Sequence, residues 1–165
     1  MSPIQTGPLP TIEWIAAEFL HNARRGRRLV AVDGGDPVAS ARVADELAEV
    51  IAARGERDET GTSVVRRSLG GVDEATLRTE LVEPFRAGEL PGAEDPDTVL
   101  VVDGQHLLDD AVRGVWHFSV WTLAGDELPH SGASVIVDVT DPAMPTRSYY
   151  DFCAIPPSVN RPGLH

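Results

Sequence analysis

Residues 28–54, RLVAVDGGDPVASARVADELAEVIAAR, decide the fold. Residues 29–32 are a short continuous apolar run, the composition of a parallel strand buried on both faces. Asp33, Gly34, Gly35, Asp36 and Pro37 read as the following turn, and Pro37 suits the first turn of a helix, where its missing N–H has no partner to lose. Val43, Ala44, Leu47, Ala48 and Ile51 then share one helical stripe, and Gly55 stands where helices commonly end in a left-handed residue. Strand, Gly-rich turn and helix form the first half of a βαβ unit.

In such a unit the phosphate-binding pattern is G-x-x-x-x-G-K-[ST]: backbone N–H groups cradle phosphate, Lys reaches its oxygens, and the hydroxyl holds Mg²⁺. Gly34 opens the pattern, but Ala39, Ser40 and Ala41 occupy the positions of the second Gly, the Lys and the hydroxyl. All 14 basic residues are Arg, so no Lys arrives from another element, and Schiff-base or pyridoxal-lysine chemistry is excluded. Arg42, one position beyond the hydroxyl site, is the nearest cation. Pro37 removes a donor, Asp36 adds a negative charge and Ala39 restricts close approach, so phosphate is expected to bind weakly at Gly34, Gly35 and Asp36.

At 165 residues with 42% hydrophobic content the chain fits one compact domain. A net charge of −12 opposes attraction to nucleic acid or to an anionic membrane surface, and neither is expected as a partner. Cys153 is the lone cysteine, which excludes an internal disulfide and a Cys-based zinc site. His21, His130 and His165 are too scattered to suggest a metal, and no metal site is expected. No apolar run approaches the roughly 18 residues of a membrane span. The opening MSPIQTGPLP lacks the charged-then-apolar order of a signal peptide, so a soluble cytoplasmic protein is expected.

Outward from the deciding stretch, residues 1–10 carry three prolines and read as an extended arm. Residues 11–25 have helical spacing at Ile12, Ile15, Ala16, Phe19 and Leu20, with Thr11 as the expected N-cap. A basic corner of Arg24, Arg25, Arg27 and Arg28 around Gly26 reads as a solvated helix end. After a polar loop at 56–61, a second strand is expected over 62–69, broken by Gly70 and Gly71. Asp73 then caps a helix bearing Leu77, Leu81, Val82 and Phe85 that stops by Gly88. Residues 98–102 are the clearest strand, ending in Asp103-Gly104. A short helical piece is expected over 107–112, a strand over 115–123, an exit loop over 125–132, and a last strand at 135–137. Such alternation predicts a parallel α/β sheet with helices on both faces. The domain is expected to span 11–147, with a Pro-rich tail over 148–165.

The phrases LVAVDG…ARVADELAEVIAARG, EATLRTELVEPFRAG, TVLVVDGQHLL followed by DDAVRGVWHFSVW, and ASVIVDVTDPAMP lie in collinear order over most of residues 28–147. Together they resemble the uridine kinase and related nucleoside kinase family of P-loop proteins. The resemblance implies a P-loop NTPase-like three-layer α/β fold with about five parallel strands in the order 2-3-1-4-5. It also implies that Asp103 stands at the acidic position ending the Walker-B strand, which serves Mg²⁺, and that Asp138, Thr140 and Asp141 lie in the loop near the adenine. Departures fall on the catalytic parts. Besides the missing P-loop groups, the Asp-containing acceptor loop is reduced to Gly70-Gly71-Val72, and residues 123–134 contain no Arg where the family has an Arg-rich lid. Phosphoryl transfer depends almost wholly on positioning and charge neutralisation, so the departures predict weak or absent ATP-Mg²⁺ binding and no ATP-dependent kinase activity.

Ligand crevices in open α/β sheets lie at the carboxyl ends of the strands. That places Asp33 beside Asp103 and His106, an acid–base set if the three converge. Alternation over 115–123 puts Trp116, Phe118 and Val120 on one face and His117, Ser119 and Trp121 on the other. The expected function is that of a degenerate, pseudokinase-like binding or regulatory module with an unknown small molecule or protein as partner, and a homodimer as a candidate assembly. The alternatives are an ATP-independent enzyme using Asp33, Asp103 and His106, and a residual nucleoside or nucleotide kinase.

Overall fold

Strand β1 (Arg28–Gly34) is buried at every position, because it lies at the centre of a sheet covered on both sides. The computed structural model describes residues 9–53, 62–71, 73–109, 111–123, 133–140 and 146–150. Helix α1 (Leu9–Asn22) precedes β1, and α2 (Pro37–Ala53) follows it. Next come β2 (Val64–Gly71), a helical segment made of α3 (Glu74–Leu77), a π turn (Arg78–Val82) and α4 (Glu83–Arg86), then β3 (Val99–Gln105), β4 (Phe118–Leu123), β5 (Val135–Asp138) and β6 (Thr146–Tyr150). The sheet order is β2-β3-β1-β4-β5-β6. The first five strands are parallel in the expected order 2-3-1-4-5, and β6 joins the β5 edge antiparallel.

Side-chain alternation sorts the core into two layers. Val30 and Val32 of β1, with Val99, Val101, Phe118, Val120, Val135 and Val137, meet the apolar stripes of α1 and α2. Leu29 and Ala31, with Leu100 and Val102, meet Leu77, Leu81, Val82 and Phe85 of the helical segment and the buried Leu107, Leu108, Val112 and Val115. These two layers around the sheet make the three-layer α/β fold.

Several boundaries differ from the sequence expectation for local reasons. Helix α1 starts at Leu9, with Pro10 in its first turn, so Thr11 lies inside the helix instead of capping it. It ends at Asn22, and Gly26 turns the chain at φ +84°. The basic corner is divided: Arg24 and Arg25 are exposed, as expected of a solvated end, whereas Arg27 and Arg28 form a clamp. The buried Arg28 guanidinium donates to Gly26 O at 2.9 Å, Ala23 O at 2.5 Å and Asp97 O, and lies 5.9 Å from the Phe19 ring centroid. Arg27 donates to Ala93 O and Glu94 O at 3.2 and 3.1 Å. Gly70 and Gly71 continue β2, with a register irregularity between Ser68 and Gly71. Gly104 of β3 makes this possible: a Cβ there would lie 3.1 Å from Leu69 O, so the strands approach closely.

Asp73 caps α3 as expected, accepting from Thr76 N at 2.7 Å. The π turn that follows has its cause in Pro84, which cannot donate to the carbonyl four residues back. Glu83 N instead reaches Arg78 O, five residues back, and the widened turn admits the proline ring. Where a helix was expected over 107–112 the described chain makes turns, with a 3₁₀ turn at Arg113–Val115, because consecutive Leu107 and Leu108 both point into the core. Strand β4 begins only at Phe118, so the alternation expected from residue 115 fails for Trp116. Trp116 packs in the same layer as Trp121, opposite Phe118 and Val120.

Strand β6 crosses the expected boundary between domain and tail, and the β-favouring Thr146, Tyr149 and Tyr150 were its signal. The arm over 1–8, Gly55, the loop over 56–61, the exit loop over 125–132, Asp141 and the chain beyond Tyr150 lie outside the described residues. Among the described residues no helix is long and apolar enough to cross a membrane.

Candidate functional site

The turn between β1 and α2 shows what has become of the phosphate-binding pattern. Asp33 and Gly34 belong to the strand, and helix begins at Pro37, which leaves Gly35 and Asp36 between them. Pro37 has no N–H. The Asp36 carboxylate accepts from Val38 N at 3.0 Å, and Asp36 O accepts from Ser40 N at 3.0 Å. Of the free amides at the helix start, Val38 N is thus engaged by the chain's own acidic residue, which caps the helix in the ordinary way, and Ser40 N makes the first intrahelical bond. Ser40, at the lysine position, is buried with its hydroxyl 2.8 Å from Thr122 Oγ1, which in turn donates to Asp33 O at 3.3 Å. Position 40 therefore faces the sheet. Arg42 is exposed on the outer side of α2 and pairs with Glu46 at 3.7 Å.

Asp33 and Asp103 do not converge. In the parallel register Val32, not Asp33, lies beside Asp103, so the two carboxylates project from opposite faces of the sheet. Asp33 is buried in the layer of Leu107. Its Oδ1 accepts from Gly34 N at 2.6 Å and its Oδ2 from Leu107 N at 3.0 Å. Asp103 is buried on the α2 side, where its Oδ1 lies 2.5 Å from Arg66 Nη2. That contact is ionic and off the line of an N–H bond, and Oδ1 has no aligned hydrogen-bond donor.

His106 sits where β3 ends, at φ +63°, a backbone conformation unusual for a non-glycine residue. Its exposed Nδ1 is 3.5 Å from Asp109 Oδ2. This pair forms the wall shared by two shallow clefts. One, of about 290 Å³, is lined by Asp33, Gly34, Gly35, Gln105, His106, Asp109 and Trp121. The other, of about 370 Å³, is lined by Gly71, Asp73, Glu74, Leu77, His106, Leu107, Asp109, Ala111 and Val112. Asp33 and His106 thus reach the same cleft, whereas Asp103 does not line it. Neither cleft is lined by Arg, and both carry carboxylates, a poor complement to a polyphosphate.

Asp138 accepts from Thr140 N at 2.9 Å, and hydrogen bonds from Thr140 hold its carboxyl below the usual carboxylate range. This is a self-contained Asx turn at the exit of β5.

Sequence reasoning missed Arg66 and Thr122. Arg66 had one signal, its place with Arg67 in the middle of an expected strand; Thr122 had none, since its role depends on the register of β4 against β1. The Mg²⁺ that the resemblance implies is not fitted by these residues: Ala41 has no hydroxyl, its carbonyl accepts from Arg66 Nη2 at 3.3 Å, and the same guanidinium pairs with Asp103.

No protein-family model, curated protein or solved structure matches this chain.

Proposed function

We propose that this chain is a P-loop-like domain, similar in its order of segments to uridine kinases, that has lost phosphoryl transfer and serves as a cytoplasmic binding or regulatory module for a small molecule or a protein, with a homodimer as a candidate assembly. The observation that supports the reading is the capped turn: Pro37 has no N–H to offer, and the Asp36 carboxylate holds Val38 N and sets a negative charge where an anion would sit. A nucleotide would have to displace a carboxylate from its own helix end and then do without a lysine. The alternative of an ATP-independent enzyme has less support, because it needs Asp33 and Asp103 in one site and they lie on opposite faces.

Titration calorimetry with Mg²⁺·ATP, Mg²⁺·GTP and uridine tests the proposal. No heat of binding is expected for either triphosphate up to millimolar concentration. Micromolar affinity for ATP would restore the kinase reading.

A further inference from the structure

On the α2 face of the sheet, away from both clefts, the Arg66 guanidinium contacts four oxygen atoms. Nη2 lies 2.5 Å from Asp103 Oδ1 and 3.3 Å from Ala41 O. Nε lies 3.0 Å from Asp45 Oδ1, and Nη1 donates to Arg67 O. Two carboxylates from β3 and α2 and two backbone carbonyls therefore surround one guanidinium. The Asp103 side chain is 6% exposed, and its Oδ1 has no aligned hydrogen-bond donor. That oxygen is held by charge alone, and oxygen ligands from carboxylates and carbonyls are what hard divalent cations take.

We propose that the Arg66 guanidinium is a built-in cation. It fills an oxygen-lined position at the end of β3, keeps that corner of the fold independent of any metal, and masks a divalent-cation site that its removal uncovers. Arg suits the task better than Lys: its planar fork reaches Asp103, Asp45 and the Ala41 carbonyl at once, and its charge survives partial burial. Without it, the buried Asp103 loses the cation it pairs with, and Asp45, 69% exposed, is the second carboxylate left at that rim. Mn²⁺ or Mg²⁺, retaining several waters, restores neutrality there. The inference is independent of whether the β1–α2 turn binds nucleotide.

The test compares wild type, Arg66→Met and the double variant Arg66→Met/Asp103→Asn by thermal unfolding with and without MnCl₂, with Mn²⁺ binding followed by electron paramagnetic resonance. Arg66→Met is expected to lower the Tm, and Mn²⁺ to raise it again. Wild type and the double variant are expected to show no Mn²⁺ response, and the double variant to recover stability without metal. An Arg66→Met protein as stable as wild type in metal-free buffer overturns the proposal. So does a Mn²⁺ response of equal size in Arg66→Met and in the double variant. Should Arg66→Met fail to fold in plain buffer, it is refolded by dilution into MnCl₂: recovery supports the masked site, and no recovery overturns it.

Discussion

The chain contains the triplet Val-Asp-Gly twice at strand ends, as Val32-Asp33-Gly34 on β1 and as Val102-Asp103-Gly104 on β3, and the structure puts the two to different uses. The strands are neighbours and parallel, but Val32 pairs with Asp103, so one triplet is displaced by a residue relative to the other. Because side chains alternate across a strand, that offset sends Asp33 to the α3 and α4 face and Asp103 to the α2 face. Asp33 is satisfied by backbone donors, Gly34 N and Leu107 N. Asp103 is paired with a side-chain cation, without an aligned hydrogen bond to Oδ1. Equal burial and equal local sequence thus lead to a carboxylate that fixes a loop and a carboxylate that fixes a guanidinium.

The glycines of the two triplets should differ most. A Cβ on Gly34 would overlap Thr122 Oγ1 and lie 2.5 Å from the Thr122 carbonyl oxygen and 2.9 Å from Ser40 Oγ. Backbone cannot step aside there without breaking the β1–β4 register, so Gly34→Ala is expected to cost about 3 kcal/mol or to prevent folding. A Cβ on Gly104 would lie 3.1 Å or more from its nearest neighbours, at the edge strand β2, which can yield. Gly104→Ala is expected to cost about 1 kcal/mol. Urea denaturation measures both, and equal losses would remove the distinction between the central and outer triplet.

The aspartates come next. Asp33→Asn turns an NH₂ group towards a backbone N–H and leaves a buried donor unmet, a loss of about 2–3 kcal/mol. Asp103→Asn removes one partner from Arg66 but leaves Asp45 and the Ala41 carbonyl in place, a loss of about 1 kcal/mol. A larger loss for Asp103→Asn than for Asp33→Asn in the same denaturation series would mean that the ion pair, not the backbone contacts, anchors this rim.

Most of the framework was legible because the core strands are apolar runs: Leu29 to Val32, Val99 to Val102 and Val135 to Val137 are buried as their composition requires. Cap and periodicity located α2 and Asp73 equally well. What was not legible is the relation between strands. A single sequence carries the period within β1 and within β3 but not their register, so Asp33 and Asp103 looked like neighbours in one site. The same gap hid Thr122 beside Gly34, whereas Trp116 was misplaced because β4 starts only at Phe118 and alternation does not reach it. Arg66 was hidden for a related reason: its partners Asp45 and Asp103 are 21 and 37 positions away and meet it only once β2, β3 and α2 are docked.

The smallest expected effect sharpens the comparison at the opposite end of β1. His117, just before β4, donates from its backbone N to Leu29 O at 2.8 Å and accepts from Leu29 N through Nδ1 at 3.0 Å. The ring does for Leu29 what Asp33 does for Gly34 and Leu107, but an imidazole accepts at Nδ1 only while that nitrogen is unprotonated. Partial burial of the ring, then the charges of Arg86 and Arg28, push its pKa below the ordinary value of 6.5. With the folded value depressed, the unfolded chain takes up the proton first as pH falls, so this contribution to stability is complete above about pH 6.5 and is lost progressively below it. His117→Gln offers an amide oxygen that does not titrate. The difference in unfolding free energy between wild type and His117→Gln is therefore expected to be flat from neutral to mildly alkaline pH and to move against wild type below pH 6.5. A difference that stays flat through that range would mean that His117 holds Leu29 in either protonation state, and that only the carboxylate end of β1 depends on a committed acceptor.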